Sequence, residues 1–302
     1  MSVIAVFGPT ASGKSDVARA IADRVPAELV SADSMQAYRG VPILTNQPAY
    51  PTHLVAIWPL DHEGSVGEYQ ELAHAAIDDI LARGRTPVVV GGTGLYLRAA
   101  LAKLEIPPEP PTGLRERLER LYDALGPDAA HRELAARDAA AAAGVHARDR
   151  RRVVRALELA ELGSSLRPPK SRLWSGETRH PTVVFGLELP REELARRIEA
   201  RTQKMFEAGA EREARLALSA PISTTARHIL GLREAAELPP ERAREALTAA
   251  TRRYAAYQCK WMRRIPGIVR VRADRAAGEV AEEILAVARA RRGAPSAASP
   301  SR

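Results

Sequence analysis

A chain of 302 residues, 45% of them hydrophobic, is long enough to bury one large core, or a core carrying an inserted partner. Its net charge of +8 suits a polyanion such as RNA, but forty of the 45 basic residues are arginines in an alanine-rich chain, so clustering matters more than the total. The single cysteine, Cys259, excludes an internal disulfide and a multi-cysteine zinc site; with no run of eighteen apolar residues and no charged-then-apolar leader, a cytoplasmic protein without a membrane span is expected.

In chain order, strands are expected at 3–7, 28–31, 54–57 and 87–90, separated by helical patterns at 13–25 and 66–83. This alternation predicts an α/β fold, a parallel sheet flanked by helices. The proline-rich stretch 106–112 can continue neither a helix nor a central strand and reads as a rigid connector. From 113 to 162 the pattern is wholly helical, with Leu114, Leu118, Leu121 and Leu125 on one stripe. A strand at 182–188 returns the chain to the sheet, three helical stretches follow between 191 and 264, and a strand at 268–271 and a helix at 279–291 close the fold. The expected organisation is a catalytic core in two parts, 1–112 and 181–292, a small all-helical insertion at 113–180, and a disordered tail at 293–302.

The segment Gly8-Pro9-Thr10-Ala11-Ser12-Gly13-Lys14-Ser15 follows the first apolar run directly and has the spacing of a glycine-rich phosphate loop between a strand and a helix. Its glycines permit the tight turn, successive N–H groups point at phosphate oxygens, Lys14 supplies a mobile charge, and the Ser15 hydroxyl can ligate Mg²⁺. The loop serves kinases, NTPases and other diphosphate-handling enzymes alike. After the second strand, Asp33 stands at a strand's C-terminal end, where open α/β sheets bind ligands. It could hold Mg²⁺ through water, cap the next element, or accept a proton from an attacking amine. The fourth strand ends in Gly91-Gly92-Thr93-Gly94-Leu95-Tyr96, a cluster that also suits a plain tight turn. Residues 148–155 carry five arginines against Asp149, a block able to neutralise backbone phosphates or to form a solvated helix face. Arg252, Arg253, Arg263 and Arg264, interleaved with Tyr254, Tyr257 and Trp261, form a second basic patch. The seven histidines show no ligand spacing.

Taken together, Gly8–Ser15, the Asp33-Ser34-Met35-Gln36-Ala37-Tyr38-Arg39-Gly40 segment and Gly91–Tyr96 resemble the bacterial tRNA dimethylallyltransferases, the tRNA isopentenyltransferase family. Arg152, Arg155 and Glu158 resemble its R-x-x-R-A-L-E; Arg191, Leu194, Arg197, Ile198, Arg201, Met205 and Gly209 follow a second family pattern; Thr251-Arg252-Arg253-Tyr254, Gln258 and Trp261 follow a third. The resemblance spans about residues 3 to 265. It implies a P-loop NTPase-like fold, Mg²⁺ as cofactor, and transfer of a dimethylallyl group from dimethylallyl diphosphate to N6 of the adenosine 3′ to the tRNA anticodon, releasing diphosphate. It further implies that Asp33 accepts the N6 proton with Thr10 and Lys14 assisting, that Gly8, Pro9, Thr10, Ala11, Ser12, Gly13, Lys14 and Ser15 bind diphosphate, and that Ser15 contacts the metal. Asp33, Ser34, Met35, Gln36, Thr93, Arg115, Arg151, Arg152, Val153, Val154 and Arg155 are the implied tRNA contacts, in a protein acting as a monomer. The chain departs from the family pattern at Leu44-Thr45-Asn46-Gln47-Pro48 (G-T-A-K-P), at Ala56, at His228-Ile229-Leu230-Gly231-Leu232, and at Ala256-Tyr257, where lysine and arginine are usual. A relative that prenylates free adenine nucleotides and, further off, a P-loop kinase are the alternative readings.

Overall fold

Val3–Phe7 is apolar and buried at every position, which a strand tolerates only inside a sheet covered on both faces. In the computed structural model, which describes residues 2–107, 110–111, 113–166 and 172–293, this strand, β1, lies between two parallel neighbours. The chain forms two compact units, Met1–Lys103 with Trp174–Arg302, and Leu104–Leu173. The first segment contributes β1, α1 (Lys14–Ala22), β2 (Ala27–Ser31), α2 (Pro42–Thr45), β3 (Thr52–His53), α3 (Val66–Ala82), β4 (Thr86–Gly91) and α4 (Gly94–Leu101). Leu104–Leu173 holds α5 (Leu114–Leu125), α6 (Pro127–Arg137), α7 (Ala139–Ala142) and α8 (Arg150–Glu161). The last segment adds β5 (Thr182–Glu188), α9 (Arg191–Glu207), α10 (Ala210–Leu218), α11 (Leu232–Glu237), α12 (Pro240–Met262), β6 (Val269–Arg272) and α13 (Ala277–Gly293).

The six strands run parallel in the order β3-β2-β4-β1-β5-β6, with Ile4 opposite both Val88 and Val183. One core packs α1 and α13 on the sheet through Val17, Ile21, Val280 and Ile284, against Ile4, Val6 and Phe185. The buried face of α3 carries Tyr69, Ala73, Ile77 and Ile80, and its start is capped by Ser65, whose hydroxyl accepts the Glu68 amide at 3.2 Å. Chain order reverses between β4 and β1, so the loops after β1, β2 and β4 open at one sheet edge. The buried Arg98 donates to the carbonyl oxygens of Ser175 and Glu177, fastening the chain as it re-enters this unit.

Four expectations change. The strand expected at 54–57 is only Thr52–His53, because Leu54 (φ 64°) and Ala56 (φ 54°) turn left-handed and the Ala56 amide is drawn to the Gln36 carbonyl. Four α-helices, not three, lie between 191 and 264, the extra break falling where Gly209 (φ 97°) separates α9 from α10. In the helical unit the buried stripe runs Leu114, Leu118, Tyr122; Leu125 is exposed, and Tyr122 anchors the turn by donating to the Ala147 carbonyl. Residues 174–180, expected in the insertion, belong to the sheet unit, where Trp174 packs at a tilt against Trp261. Pro108, Glu109, Thr112 and the tail from 294 lie outside the described residues.

Candidate active site

The loop from β1 to α1 has Ala11 (φ 64°) and Gly13 (φ 83°) in the left-handed region, a conformation that costs Ala11 roughly 1 kcal/mol. Ser12 closes the turn by donating its amide to the Pro9 carbonyl. Gly8 has no room for a side chain: a Cβ there would lie 2.6 Å from the Ser12 hydroxyl oxygen, which is buried and has no described partner. Lys14 donates Nζ to the Pro9 carbonyl at 3.2 Å, and Arg201, from α9, donates Nη1 to Thr10 Oγ1 at 2.7 Å. Burial lowers the Lys14 pKa to about 8, Asp33 opposing and Arg201 adding to the shift. Burial also lowers the Arg201 pKa, again against Asp33. Two cations thus meet at a helix N-terminus without a full set of counter-charges, an arrangement that favours an entering polyanion. Tyr50 hydrogen-bonds the Ser15 carbonyl at 2.6 Å, while no described residue engages the Ser15 hydroxyl.

Asp33 follows β2. Its Oδ1 accepts the Met35 amide at 3.0 Å, an Asx turn that fixes the carboxylate, and no described residue hydrogen-bonds Oδ2. Ser34 donates its amide to Thr93 Oγ1, at the N-cap of α4. That hydroxyl does not cap its own helix; it bridges to Tyr254 Oη at 3.3 Å. Burial raises the Tyr254 pKa, Asp33 adding to the rise, so the phenol stays protonated at neutral pH.

The glycines after β4 are required by close approach rather than by turn geometry. A Cβ on Gly91 would lie 2.1 Å from the Ala32 carbonyl oxygen, one on Gly92 2.1 Å from Gln258 Nε2, and one on Gly94 2.2 Å from the Trp261 ring. Gln258 accepts the Thr10 amide through Oε1 at 2.7 Å and donates Nε2 to the Gly92 carbonyl at 3.0 Å, joining the two glycine loops. Around them opens a cleft lined by Thr10, Lys14, Ser15, Asp33, Gln36, Arg201 and Tyr254. It holds a carboxylate, two cations and an apolar wall in one concavity, which suits transfer from a charged donor to an acceptor that must lose a proton.

A profile described as IPP transferase matches residues 36–265, and one described as isopentenyl transferase matches residues 1–50. The chain is 40% identical to the tRNA dimethylallyltransferase of Salinispora tropica, over 95% of this chain and 93% of that one. It belongs to the IPP transferase family. The Thermobifida fusca tRNA dimethylallyltransferase is 41% identical over 88% of each chain. Among solved structures, the tRNA isopentenylpyrophosphate transferase of Bacillus halodurans superposes with a TM-score of 0.68 at 30% identity, covering 95% of both chains. A eukaryotic dimethylallyltransferase acting on tRNA superposes at 0.77 with 25% identity, over 99% of this chain and 82% of that one.

Within this IPP transferase chain, the residues expected to act together divide between the two units. Thr10, Lys14, Ser15, Asp33, Met35 and Gln36 line the cleft, with Ser34 and Thr93 tied to it through Tyr254. Gln36 holds the Asn46 carbonyl, and Gln47, where the family pattern has lysine, donates to the Tyr38 carbonyl at 2.6 Å, so the departure at 44–48 builds the cleft wall. The remaining expected contacts lie in the helical unit, where the side chains differ in availability. Val153 and Val154 are buried in its core and present no side chain to a partner. Arg115 and Arg155 both pair with Glu158, which is fully buried, and Arg150 pairs with Asp123 and Glu119. Arg148, Arg151 and Arg152 are exposed with no ion pair among the described residues. In the second patch, Arg252 pairs with Glu199 and Arg264 stacks over Trp174. Arg201 and Tyr254 line the cleft and the buried Gln258 braces its loops, roles that motif spacing does not reveal, although Thr251, Tyr254, Gln258 and Trp261 recur at helical spacing.

Proposed function

We propose that this chain transfers the dimethylallyl group of dimethylallyl diphosphate to N6 of the adenosine 3′ to the anticodon in tRNA. One observation carries the reading: a single cleft sets a phosphate-type loop with Lys14 and Arg201 against the Asp33 carboxylate, in a chain whose relatives bear that activity's name. The donor's diphosphate takes the N-terminus of α1 and the two cations. The N6 lone pair forms the new bond to C1 of the dimethylallyl group as the C1–O bond breaks and its electron pair leaves on diphosphate. Asp33 accepts the proton that N6 loses, through the oxygen left open by the Asx turn. Preorganised cations at the leaving group supply the electrostatic part of the rate, worth about 3–4 kcal/mol per lost contact.

Mg²⁺ fits this donor set. The Ser15 hydroxyl lines the cleft and is unengaged among the described residues, an oxygen donor of the kind this hard cation takes, so Ser15 would hold the ion at the phosphate loop. When bound there, Mg²⁺ would neutralise charge on the leaving diphosphate. Exposed Arg148, Arg151 and Arg152 supply backbone contacts for the RNA, which supports tRNA over a free nucleotide as acceptor. No helix among the described residues is long and apolar enough to cross a membrane.

The test is incubation of the protein with labelled dimethylallyl diphosphate and, in parallel, unmodified tRNA, AMP or ATP. Label in tRNA alone is expected. Label in a free nucleotide, or phosphate transfer from ATP with no prenylation, overturns the reading.

A further inference from the structure

The cleft grades from charge to hydrocarbon along two antiparallel helices. Arg252 of α12 pairs with Glu199 of α9, and Arg244 donates to Gln203, so residues late in α9 face residues early in α12. At one end Arg201 and Gln258 hold Thr10 of the phosphate loop; at the other, Met205 and Leu247 line the cleft, both buried. Leu247 is closely packed, 1% exposed. It rests against Gly231 (φ 81°), where a Cβ would lie 2.4 Å from Leu247 Cδ1. Beside it, Leu230 is fixed through its amide, which contacts Met35 Sδ at 3.3 Å.

We infer that Leu247 and Met205 form a floor that limits the donor to one isoprene unit, an inference that rests on the prenyl-transfer reading and specifies its substrate range. Four residues of helix separate Arg201 from Met205, about 6 Å at 1.5 Å per residue. A dimethylallyl chain extends about 5 Å from its diphosphate oxygen and a geranyl chain about 10 Å, from carbon–carbon bonds near 1.5 Å. The shorter chain ends at the floor; the longer one drives its second unit into Leu247, in a packed interior that yields little.

The experiment measures equilibrium binding of inorganic diphosphate, dimethylallyl diphosphate and geranyl diphosphate, with transfer to tRNA followed in parallel, for the wild type, Leu247→Ala and Met205→Ala. The wild type is expected to bind dimethylallyl diphosphate at least about tenfold more tightly than geranyl diphosphate, and the variants to shift that ratio toward geranyl by about tenfold or more, the scale on which pockets discriminate chain length. Affinity for inorganic diphosphate should change less than about twofold, since no phosphate contact is altered. Thermal melting identifies the folded variants, and Leu247→Val, a smaller excavation, replaces Leu247→Ala should the latter not fold. A wild type that binds both prenyl diphosphates equally, or folded variants with an unchanged ratio, overturns the floor. Failure of the functional reading looks different: a wild type that binds dimethylallyl diphosphate yet prenylates no RNA.

Discussion

Lys14 is held near the edge of its charged state, and that gives the donor site a pH dependence with a definite sign. Its pKa is lowered by burial to about 8. Below that value the ammonium is charged and attracts diphosphate; above it the charge is lost. Donor affinity should therefore fall, toward tenfold per unit, as pH rises past 8. Binding near pH 8.5 should take up a proton, which calorimetry in buffers of different ionisation enthalpy would register. Lys14→Ala should bind weakly and lose this dependence; the same pH profile in that variant would assign the titration elsewhere. At Asp33 the expectation separates chemistry from binding. Asp33→Asn keeps an oxygen for the Met35 amide but cannot take the proton, so turnover should fall about 10²–10⁴-fold. Affinity for tRNA should stay within a few fold, because phosphate contacts elsewhere dominate it. Near-normal turnover would remove Asp33 from the mechanism.

At the scale of elements, α8 shows why a run of arginines is a poor guide to its own use. Five arginines in residues 148–155 suggest one RNA-facing block, yet Glu158, three residues after Arg155 and invisible to a charge count, claims both Arg155 and Arg115. Burial pushes the Glu158 pKa up, but hydrogen bonds from Arg115 and Arg155 outweigh it and hold the group below the usual carboxylate value. A depressed carboxylate stabilises above its unfolded pKa and loses that contribution as pH falls through its folded one. Glu158→Gln should thus destabilise the helical unit by about 3 kcal/mol at neutral pH, the low end for a broken buried pair because both arginines are partly exposed. Its stability should also vary less than wild type below about pH 4.5; denaturant titrations at pH 7 and pH 3.5 measure both effects. What was legible followed the same division. The phosphate loop, Asp33 and the glycine cluster could be read because each sits at a strand end, where a short motif fixes its own surroundings. Arg201, Tyr254, Gln258 and Leu247 could not: helical spacing assigns them a face, but only the packing of α9 and α12 shows which cavity that face meets. The brief β3 was misread for a related reason, since an apolar run does not disclose two left-handed residues.

For the whole molecule, function depends on a long polyanion being held while one small cleft does chemistry, and salt separates the two. Replacing Arg148, Arg151 and Arg152 together by alanine should weaken tRNA binding and flatten the log–log salt slope by up to about two units, at roughly 0.7 per single-stranded phosphate. These three are chosen over Arg155 because they hold no buried carboxylate, so the unit should remain folded. Donor binding should not change. An unaltered slope would make the exposed face of α8 a solvated surface and return the RNA contacts to the cleft-bearing unit.

The shared face of α12 has an evolutionary corollary. Leu247, Thr251, Tyr254 and Gln258 meet, in turn, the apolar end of the cleft, its wall, the Thr93 hydroxyl and the phosphate loop, so one helix keeps four parts of the site in phase. Substitutions on its exposed side, such as the alanine and tyrosine at 256 and 257, leave that phase untouched. Insertion or deletion of a single residue between 247 and 258 would rotate everything beyond it by about 100° and pull Gln258 off the loop while Leu247 stayed in place. Lineages carrying this helix should therefore vary freely in its outward residues while preserving its length, residue for residue, through that interval.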